Sequence, residues 1–426
     1  MGKLELKIRN HTFGKKGLAG PASALYYAAD TLKGHRQMND AIARWLPEEE
    51  QKDKKRLSQI RKDLAYTRFY DDISADEYFQ YRFQNLSRSE RDKFISVRYT
   101  NNYMKHKLPR PALAYTSDKY QTYQFFGEFF RRDVILVEGE KDREAFLAFA
   151  EKHSEFIVKP TREAHGHGVQ KVNLAVDFPE NEEAAGSKDG ASAMEDVTAD
   201  AASATADAAS MMAASVPVDG VSAMADVSAD AASAAAGISV DGAASMAGSA
   251  AAARAFDELL SKAPYVAEEL VVQDPEMACF HPASVNTVRL VTVCRDGKVG
   301  YLMACIRFGL GDSVIDNGTA GGILAAVDTK TGEIATPAFY LTKKEEFENH
   351  PDTGARIFHT ILPNWEEMRR VTRQMALMVP GQRIVGWDMA FAGGHWVLIE
   401  ANSCPGLQPG VGYYKGLREE FFKAVR

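Results

Sequence analysis

The chain has 426 residues, 26% of them charged and 45% hydrophobic, and a formal net charge of −7. This is the composition of an ordinary globular protein, long enough for about two or three domains. It shows no basic excess for a nucleic-acid partner and no apolar run of about 18 residues for a membrane span. The four scattered cysteines argue against a disulfide framework. The charged amino terminus lacks an apolar signal region, so we expect a cytoplasmic protein.

Residues 1–110 are predicted to form a helical N-terminal region. Apolar residues recur at helical spacing in 22–32 and 38–46. Ser74 and Glu77 have the spacing of a capping box at the start of a helix over 75–83. A further helix is predicted over 91–100.

The next part of the chain, residues 111–183, is predicted to mix helices with short strands. Helical spacing favours helices over about 119–131 and 141–153. Three short apolar segments predict strands at 134–138, 156–160 and 168–174.

Residues 184–254 differ from the rest of the chain in composition. They hold 28 alanines and no aromatic residue, and nine acidic against two basic residues give them the whole net charge of −7. The stretch 192–206 recurs with small changes at 222–236. The segment has few large apolar side chains, and their burial cannot offset the conformational entropy that folding would cost. We therefore predict a disordered insert. A folded helical repeat is the alternative, although a stacked core needs about three repeats.

Strands dominate the chain after the insert. We predict strands within 263–271, 286–308 and 321–328, a helix that Asn364 and Glu367 cap, a hairpin at 384–402 that turns at Gly393-Gly394, and a last helix over 413–425. Asp296-Gly297 is a hairpin turn signal inside the second of these segments. Together with 111–183, residues 255–426 then form one α+β domain of several small sheets.

The strongest chemical signal is the hairpin 384–402. Glu400 and Asn402 are two residues apart on one strand and therefore face the same side. Asp388 on the paired strand joins them only if the turn has an odd length or if a bulge compensates for a two-residue turn. Two carboxylates and a carboxamide oxygen are ligands suited to Mg²⁺. We therefore predict a metal site here.

Further candidate binding and catalytic residues lie on neighbouring elements. Lys159 ends an apolar strand before a loop with Gly166 and Gly168, which can fold over phosphates although the Walker A pattern is absent. Arg289 and Arg307 lie on opposite arms of one hairpin and can clamp phosphate or carboxylate. The remaining candidates are two adjacent strand acids, Glu268 and Glu269, and a glycine-containing loop with Asn317, Gly321 and Gly322.

These motifs in this order resemble the ATP-grasp superfamily. The segments 268–293, 315–323, 386–390 and 398–406 are similar to its sugar-transfer-associated family, and 74–96 resembles that family's N-terminal region. The similarity covers roughly 70–180 and 260–425. The chain departs from the family pattern in its loop, REAHGHG, and in the insert.

The resemblance implies two α+β lobes with a nucleotide between them, and a role for each motif. Lys119 and Lys159 would contact the phosphates of ATP under the loop that holds Gly166 and Gly168. Glu268 or Glu269 and the neighbouring backbone would hold the adenosine. The remaining roles are catalysis by Arg289, Arg307 and Asn317 and binding of Mg²⁺ or Mn²⁺ by Asp388, Glu400 and Asn402.

The function implied is an ADP-forming ligase that activates a carboxylate as an acyl phosphate for attack by an amine. Its substrates would be small-molecule or sugar-linked carboxylates and amines, in the modification of a polysaccharide or cell-surface sugar. A kinase-like phosphotransferase and a nucleotide-binding module without turnover are the alternatives. The oligomeric state stays open.

Overall fold

The computed structural model describes residues 34–162, 168–179, 242–311, 313, 321–341, 343–407 and 416–426, and gives the backbone alone for 69–70 and 242–249. None of the helices in these ranges combines the length and the apolar character that a membrane crossing demands.

The described N-terminal region is helical, as predicted. Its aromatic core holds the buried rings of Trp45, Tyr78, Phe79 and Phe83. Ser74 accepts the backbone N–H of Glu77 and the Glu77 carboxylate accepts that of Ser74, which confirms the capping box. The helices of this region are 34–45, Glu48–Lys52, Lys54–Tyr70, Ala75–Gln80, Arg88–Arg91 and Val97–Lys107, with a 3-10 turn at Phe83–Asn85.

The helix predicted over 91–100 is wrong in its bounds. One short helix ends at Arg91, and the next begins at Val97 after a non-helical stretch. The Ser96 hydroxyl accepts the N–H of Tyr99 at 2.9 Å, and the Glu77 carboxylate accepts the N–H of Val97 at 2.6 Å. Both bonds satisfy donors at the beginning of a helix, so they fix its start at this point.

A four-stranded antiparallel sheet follows, with the strand order β1-β4-β2-β3. Its strands are β1 Val134–Val137, β2 Glu155–Pro160, β3 Gln170–Asn173 and β4 Tyr265–Glu269. The predicted strands and the two predicted helices of this part are confirmed. The helices around the sheet are Leu113–Thr116, Lys119–Phe130, Arg143–Lys152, Leu174–Asp177 and Gly242–Leu259, with 3-10 turns at Glu140–Asp142 and Leu260–Lys262.

Helix Gly242–Leu259 includes the end of the segment that the sequence assigned to the insert. Ala251 and Ala252 are buried in the core of the small sheet, and the ring of Phe256 lies 5.4 Å from that of Phe146. Arg254 donates to the carbonyl oxygen of Phe178 at 2.7 Å. Residues 251–254 therefore belong to the folded lobe, because small alanine side chains let this helix pack closely. Residues 180–241 lie outside the described ranges.

A seven-stranded antiparallel sheet forms the larger lobe, in the order β11-β10-β5-β6-β7-β8-β9. Its strands are β5 Val288–Arg295, β6 Lys298–Phe308, β7 Ile323–Val327, β8 Ala338–Tyr340, β9 Glu346–Phe347, β10 Ile384–Ala392 and β11 His395–Asn402. The helices of this lobe are Pro275–Ala278, Trp365–Met378 and Arg418–Val425. The central one buries Trp365, Met368, Val371 and Met375 against the sheet.

Both predicted hairpin turns are present. Asp296 and Gly297 connect β5 to β6 with φ of 50° and 72°, and Gly393 and Gly394 connect β10 to β11 with φ of 60° and 75°. Positive φ at both central residues is the geometry of a type I′ turn.

The helix begins after Asn364, as predicted, but the predicted capping box is not formed there. Asn364 donates from its side-chain amide to the Glu367 carboxylate at 3.0 Å and caps no backbone N–H. The Glu367 carboxylate instead contacts β11, where it lies 2.9 Å from the ring of His395.

Candidate functional site

Asp388 and Glu400 lie directly opposite each other on β10 and β11. The turn of this hairpin has two residues, and a bulge between Asp388 and Met389 shifts the register so that Ile399 is the extra residue. Of the two alternatives that the sequence left open, an odd-length turn and a compensating bulge, the structure has the bulge. Asn402 joins the pair, with its amide nitrogen 3.5 Å from an oxygen of Asp388. The structure thus brings the three predicted metal ligands together.

Two arginines from the neighbouring strands hold Asp388. Arg289 is its cross-strand partner and donates two hydrogen bonds of 2.7 Å to its two oxygens. Arg307 lies 3.1 Å from one of these oxygens and also donates to the hydroxyl of Thr287. Burial alone would raise the pKa of Asp388, but Arg289 and Arg307 lower it to about 2. Asp388 is therefore an anion that orients both arginines.

Of the two predicted lysines, Lys159 lies on strand β2 of the small sheet and Lys119 is the first residue of helix Lys119–Phe130. Lys159 donates to the buried carboxylate of Glu268 at 2.8 Å, and Lys119 donates to the carbonyl oxygen of Pro160 at 2.9 Å. Burial lowers the pKa of Lys119, and the negative charge of Glu400 opposes this lowering. Lys119 is thus close enough to the large lobe for the charge of Glu400 to affect its pKa.

Arg132 is a residue of this site that the sequence analysis missed. It contacts the carboxylate of Glu268 at 2.9 Å and the carbonyl oxygen of Leu398 on β11 at 2.6 Å. Burial alone would raise the pKa of Glu268, but Lys159 and Arg132 lower it to about 2. The sequence offered one signal, a basic residue between Phe130 and the strand at 134, which is the pattern of an ordinary helix end.

Glu400 differs from the other acids of the site because it makes no hydrogen bond or ion pair to any residue in the described ranges. Its side chain is half-buried. Burial, followed by the charge of Asp388, raises the pKa of Glu400, while Arg289, Lys119 and Lys159 oppose this. The electrostatic influence of Lys119 and Lys159 on Glu400 connects the two lobes in one site.

Glu269 points away from this cluster. Adjacent residues of a strand face opposite sides, and Glu268 takes the side of the lysines. The Glu269 carboxylate accepts the backbone N–H of Asp133 at 3.0 Å, and Asp133 lies 3.0 Å from the ring of His153. The side chain of Glu268, and not that of Glu269, therefore faces the other site residues.

Gly168, at the exit of the predicted phosphate loop, has a φ of 70°, and a Cβ there would come within 2.7 Å of the Pro160 ring. The backbone thus needs glycine here to approach Pro160, whose carbonyl oxygen binds Lys119. Gly166 and Asn317, two further predicted site residues, lie outside the described ranges.

Two buried histidines that the sequence analysis also missed hold the chain just after β6. His281 binds the carbonyl oxygen of Gly311 at 2.9 Å through Nε2, and His350 binds that of Gly309 at 3.0 Å in the same way. The rings lie 5.6 Å apart. Their Nδ1 atoms accept backbone N–H groups of Ser284 and Asp352, which requires neutral imidazoles.

The donors of the site fit a divalent ion bound beside a polyphosphate. Glu400 and Asn402 offer oxygens that no described residue binds, and hard oxygen ligands are those that Mg²⁺ prefers. Asp388 already accepts hydrogen bonds from two guanidinium groups. It would bind the metal ion through the oxygen lone pairs that these groups do not use. The charged residues of the cluster are five bases and three acids, namely Lys119, Arg132, Lys159, Arg289, Arg307, Glu268, Asp388 and Glu400. The excess of positive charge suits a polyanionic ligand.

Comparison with protein families finds one match, to the sugar-transfer associated ATP-grasp family over residues 250–425. This part of the chain contains β5–β11 and every described site residue of the large lobe. No curated protein matches the chain.

Several solved structures of ligases and synthetases are similar to the chain at low identity. D-alanine–D-alanine ligase from Helicobacter pylori is 14% identical, with 74% of this chain and 60% of that chain covered and a TM-score of 0.35. D-alanyl-alanine synthetase A from Vibrio cholerae is 11% identical, with 74% and 65% covered and a TM-score of 0.35. D-cycloserine synthetase is 13% identical, with 82% of each chain covered and a TM-score of 0.34. The chain thus spans less than two thirds of the first two ligases.

Residues 250–425 match the sugar-transfer associated ATP-grasp family, and the α+β architecture preceded by a helical N-terminal region is the predicted one. Lys159 and Glu268 lie on the small sheet, whereas Asp388, Glu400, Asn402, Arg289 and Arg307 lie on the large sheet.

Proposed function

We propose that the chain is an ATP-dependent ligase that joins a carboxylate to an amine, in keeping with the match of residues 250–425 to the sugar-transfer associated ATP-grasp family. The observation that carries this proposal is the placement of cations beside metal-binding oxygens where the two lobes meet. Arg132 donates both to Glu268 on β4 and to the carbonyl oxygen of Leu398 on β11, and Lys159 donates to the same Glu268 carboxylate. Glu400 lies two residues after Leu398 on β11, and the charges of Lys119 and Lys159 oppose the rise in its pKa. Cations on one side and metal-binding oxygens on the other are what a nucleotide triphosphate between the lobes requires.

The reaction would proceed in two balanced steps. A carboxylate oxygen of the substrate attacks the terminal phosphorus of ATP, and the bond from that phosphorus to the bridging oxygen breaks, which releases ADP. The amine nitrogen then attacks the carbonyl carbon of the acyl phosphate. The carbon–oxygen bond to phosphate breaks, inorganic phosphate leaves, and the nitrogen loses a proton to solvent.

The protein would act through position and charge, with no covalent step of its own. Holding two substrates in register can supply about 7–11 kcal/mol of the barrier reduction. Arg289 and Arg307 would stabilise the negative charge of the transferring phosphoryl group. Lys119 and Lys159 would bind the phosphates, and Glu268 with the adjacent backbone would face the rest of the nucleotide.

Asp388, Glu400 and Asn402 would hold Mg²⁺, or Mn²⁺ in its place. The ion would neutralise phosphate charge. Asn317 and the loop that contains Gly166 and Gly168 remain part of the proposed site on the strength of the sequence alone.

The test is a screen of carboxylate and amine pairs, including sugar-linked ones, for ADP release by the full chain. We expect ADP and phosphate to form only when both substrates are present. Formation of AMP and pyrophosphate would contradict the proposed mechanism. A stable phosphorylated product without an amine would indicate a phosphotransferase instead.

A further inference from the structure

Arg132 lies where the two lobes meet, between the carboxylate of Glu268 on β4 and the carbonyl oxygen of Leu398 on β11. Its side chain is 4% exposed and that of Glu268 is 5% exposed. A second carbonyl oxygen, that of Phe130, accepts from the same guanidinium nitrogen at 3.2 Å. A charge this buried needs such a complete set of partners.

Glu268 has two cationic partners that differ in their access to solvent. The Lys159 side chain is 15% exposed, whereas that of Arg132 is 4% exposed. Lys159 is therefore the partner that can turn toward an incoming phosphate. If Arg132 were absent, that movement would leave Glu268 as a buried anion without a partner, which is strongly unfavourable.

The contact with Leu398 gives Arg132 a second role. Leu398 is the last residue before the bulge, and Glu400 follows that bulge to lie opposite Asp388. A hydrogen bond to the Leu398 carbonyl oxygen thus holds the strand at the place where its register changes. The position of Glu400 depends on that register.

We propose that Arg132 is a positioning residue that keeps Glu268 paired while Lys159 binds a nucleotide phosphate, and that fixes the β11 bulge which orients Glu400. This inference rests on the proposed function, since it concerns the same nucleotide site. It assigns no contact between Arg132 and the nucleotide itself. Its effect on catalysis would pass entirely through Glu268 and β11.

The test measures the affinity of a non-hydrolysable ATP analogue with Mg²⁺ by calorimetry, in full-length variants. Arg132→Met should weaken binding by about tenfold or more, because Glu268 then retains Lys159. Glu268→Gln removes the charge that needs a partner. The double variant should therefore bind as well as Glu268→Gln alone. Arg131→Met is the matched control, because Arg131 is adjacent and exposed, and its affinity should equal that of the wild type.

Arg132→Lys separates the two roles and also serves if Arg132→Met fails to fold. A lysine keeps the charge beside Glu268 but cannot reach Glu268 and Leu398 together, so Arg132→Lys should lose less analogue affinity than Arg132→Met, while its kcat still falls below that of the wild type. An equal loss of affinity in Arg132→Lys and Arg132→Met would contradict the proposal. So would a defect of Arg132→Met that persists unchanged in the Glu268→Gln background.

Failure of the proposed function gives a different result. Wild-type protein that does not bind the analogue would contradict the nucleotide site as a whole. Equal affinities of wild type and a folded Arg132→Met variant would contradict the role of Arg132 alone. Melting temperatures of the same variants test the buried pair separately, because Glu268→Gln should restore part of the stability that Arg132→Met loses.

Discussion

Asp388 and Glu400 lie opposite each other because the single extra residue Ile399 offsets a two-residue turn. In a regular ladder Asp388 would face Ile399, and Glu400 would share the face of the buried Leu398. The bulge keeps Leu398 in the core and turns Glu400 to the side of Asp388. Two like charges in direct cross-strand contact are unfavourable, so this pair needs the cations around it.

Glu400→Gln should abolish most of the proposed ligase activity. The substitution removes the acid that has no partner in the described ranges and replaces a charged oxygen ligand by a neutral one. We expect ADP formation to fall by at least about 100-fold, the order of loss when one electrostatic contributor to a transition state is removed. The control is Glu366→Gln, whose side chain is 83% exposed on the surface of helix Trp365–Met378. Activity within about threefold of wild type would contradict the role of Glu400.

Asp388→Asn should lower the stability of the fold as well as its activity. The substitution leaves Arg289 and Arg307 without the carboxylate that both of them contact. Breaking a buried pair in this way costs about 3–5 kcal/mol, which denaturant unfolding would detect as a shifted midpoint. Asp296→Asn, at an exposed turn, should change stability by less than about 0.5 kcal/mol. Equal midpoints for the two variants would argue against the buried arginine cluster.

The buried histidine pair predicts a loss of stability in mild acid. Burial lowers the pKa of His350 from 6.5, an effect that the nearby ring of His281 adds to and that Gly309 and Asp352 oppose. The unfolded chain therefore binds the proton more readily. The contribution of His350 is complete above pH 6.5 and is lost as pH falls below that value, with a slope of at most about 1.4 kcal/mol per pH unit.

Urea unfolding at pH 7.5 and at pH 5.5 would measure this effect. His350→Gln keeps a donor for the carbonyl oxygen of Gly309 but does not titrate, so its stability should change less between the two pH values. The same change in the wild type and in the variant would rule out His350 as the group responsible.

The alanine-rich insert should be dispensable up to the helix that follows it. Deleting residues 190–235 should leave the affinity for an ATP analogue nearly unchanged, because the sequence predicts that this segment is part of a disordered insert. A deletion that continues through residue 254 should lower the melting temperature, since Ala251 and Ala252 are buried in the small lobe. The two deletions together locate the end of the insert. A large loss of analogue affinity in the shorter deletion would show that the insert shapes the site.

Local patterns allowed much of the fold to be predicted from the sequence. The alternation of residues 384–402 with two glycines at the turn was sufficient to predict the hairpin. The need to place Asp388 beside Glu400 narrowed its geometry to an odd-length turn or a bulge, and the structure has the bulge. Ser74 with Glu77 identified a capping box because both partners lie within one turn of helix. In each case the decisive contact joins residues that are close along the chain.

Contacts between distant residues could not be predicted in this way. Arg132 contacts Glu268 and Leu398, which are 136 and 266 residues away along the sequence. Asn364 and Glu367 had the right spacing for a cap, but Glu367 is taken by His395 on β11. Tertiary partners outweighed the local preference there, as they did for the stretch before Val97, where the carboxylate of Glu77 helps to set the start of the next helix.

Among the described strands, β11 is the last on one side of the seven-stranded sheet, and an edge strand of this kind could pair with another chain if nothing lay against it. Helix Lys119–Phe130 lies against this strand, and Arg132 occupies the carbonyl oxygen of Leu398. The opposite rim is β9, which has only two residues. A covered rim and a very short one are both devices that prevent sheets from joining edge to edge. The elements that assemble the site thus also protect the protein against aggregation.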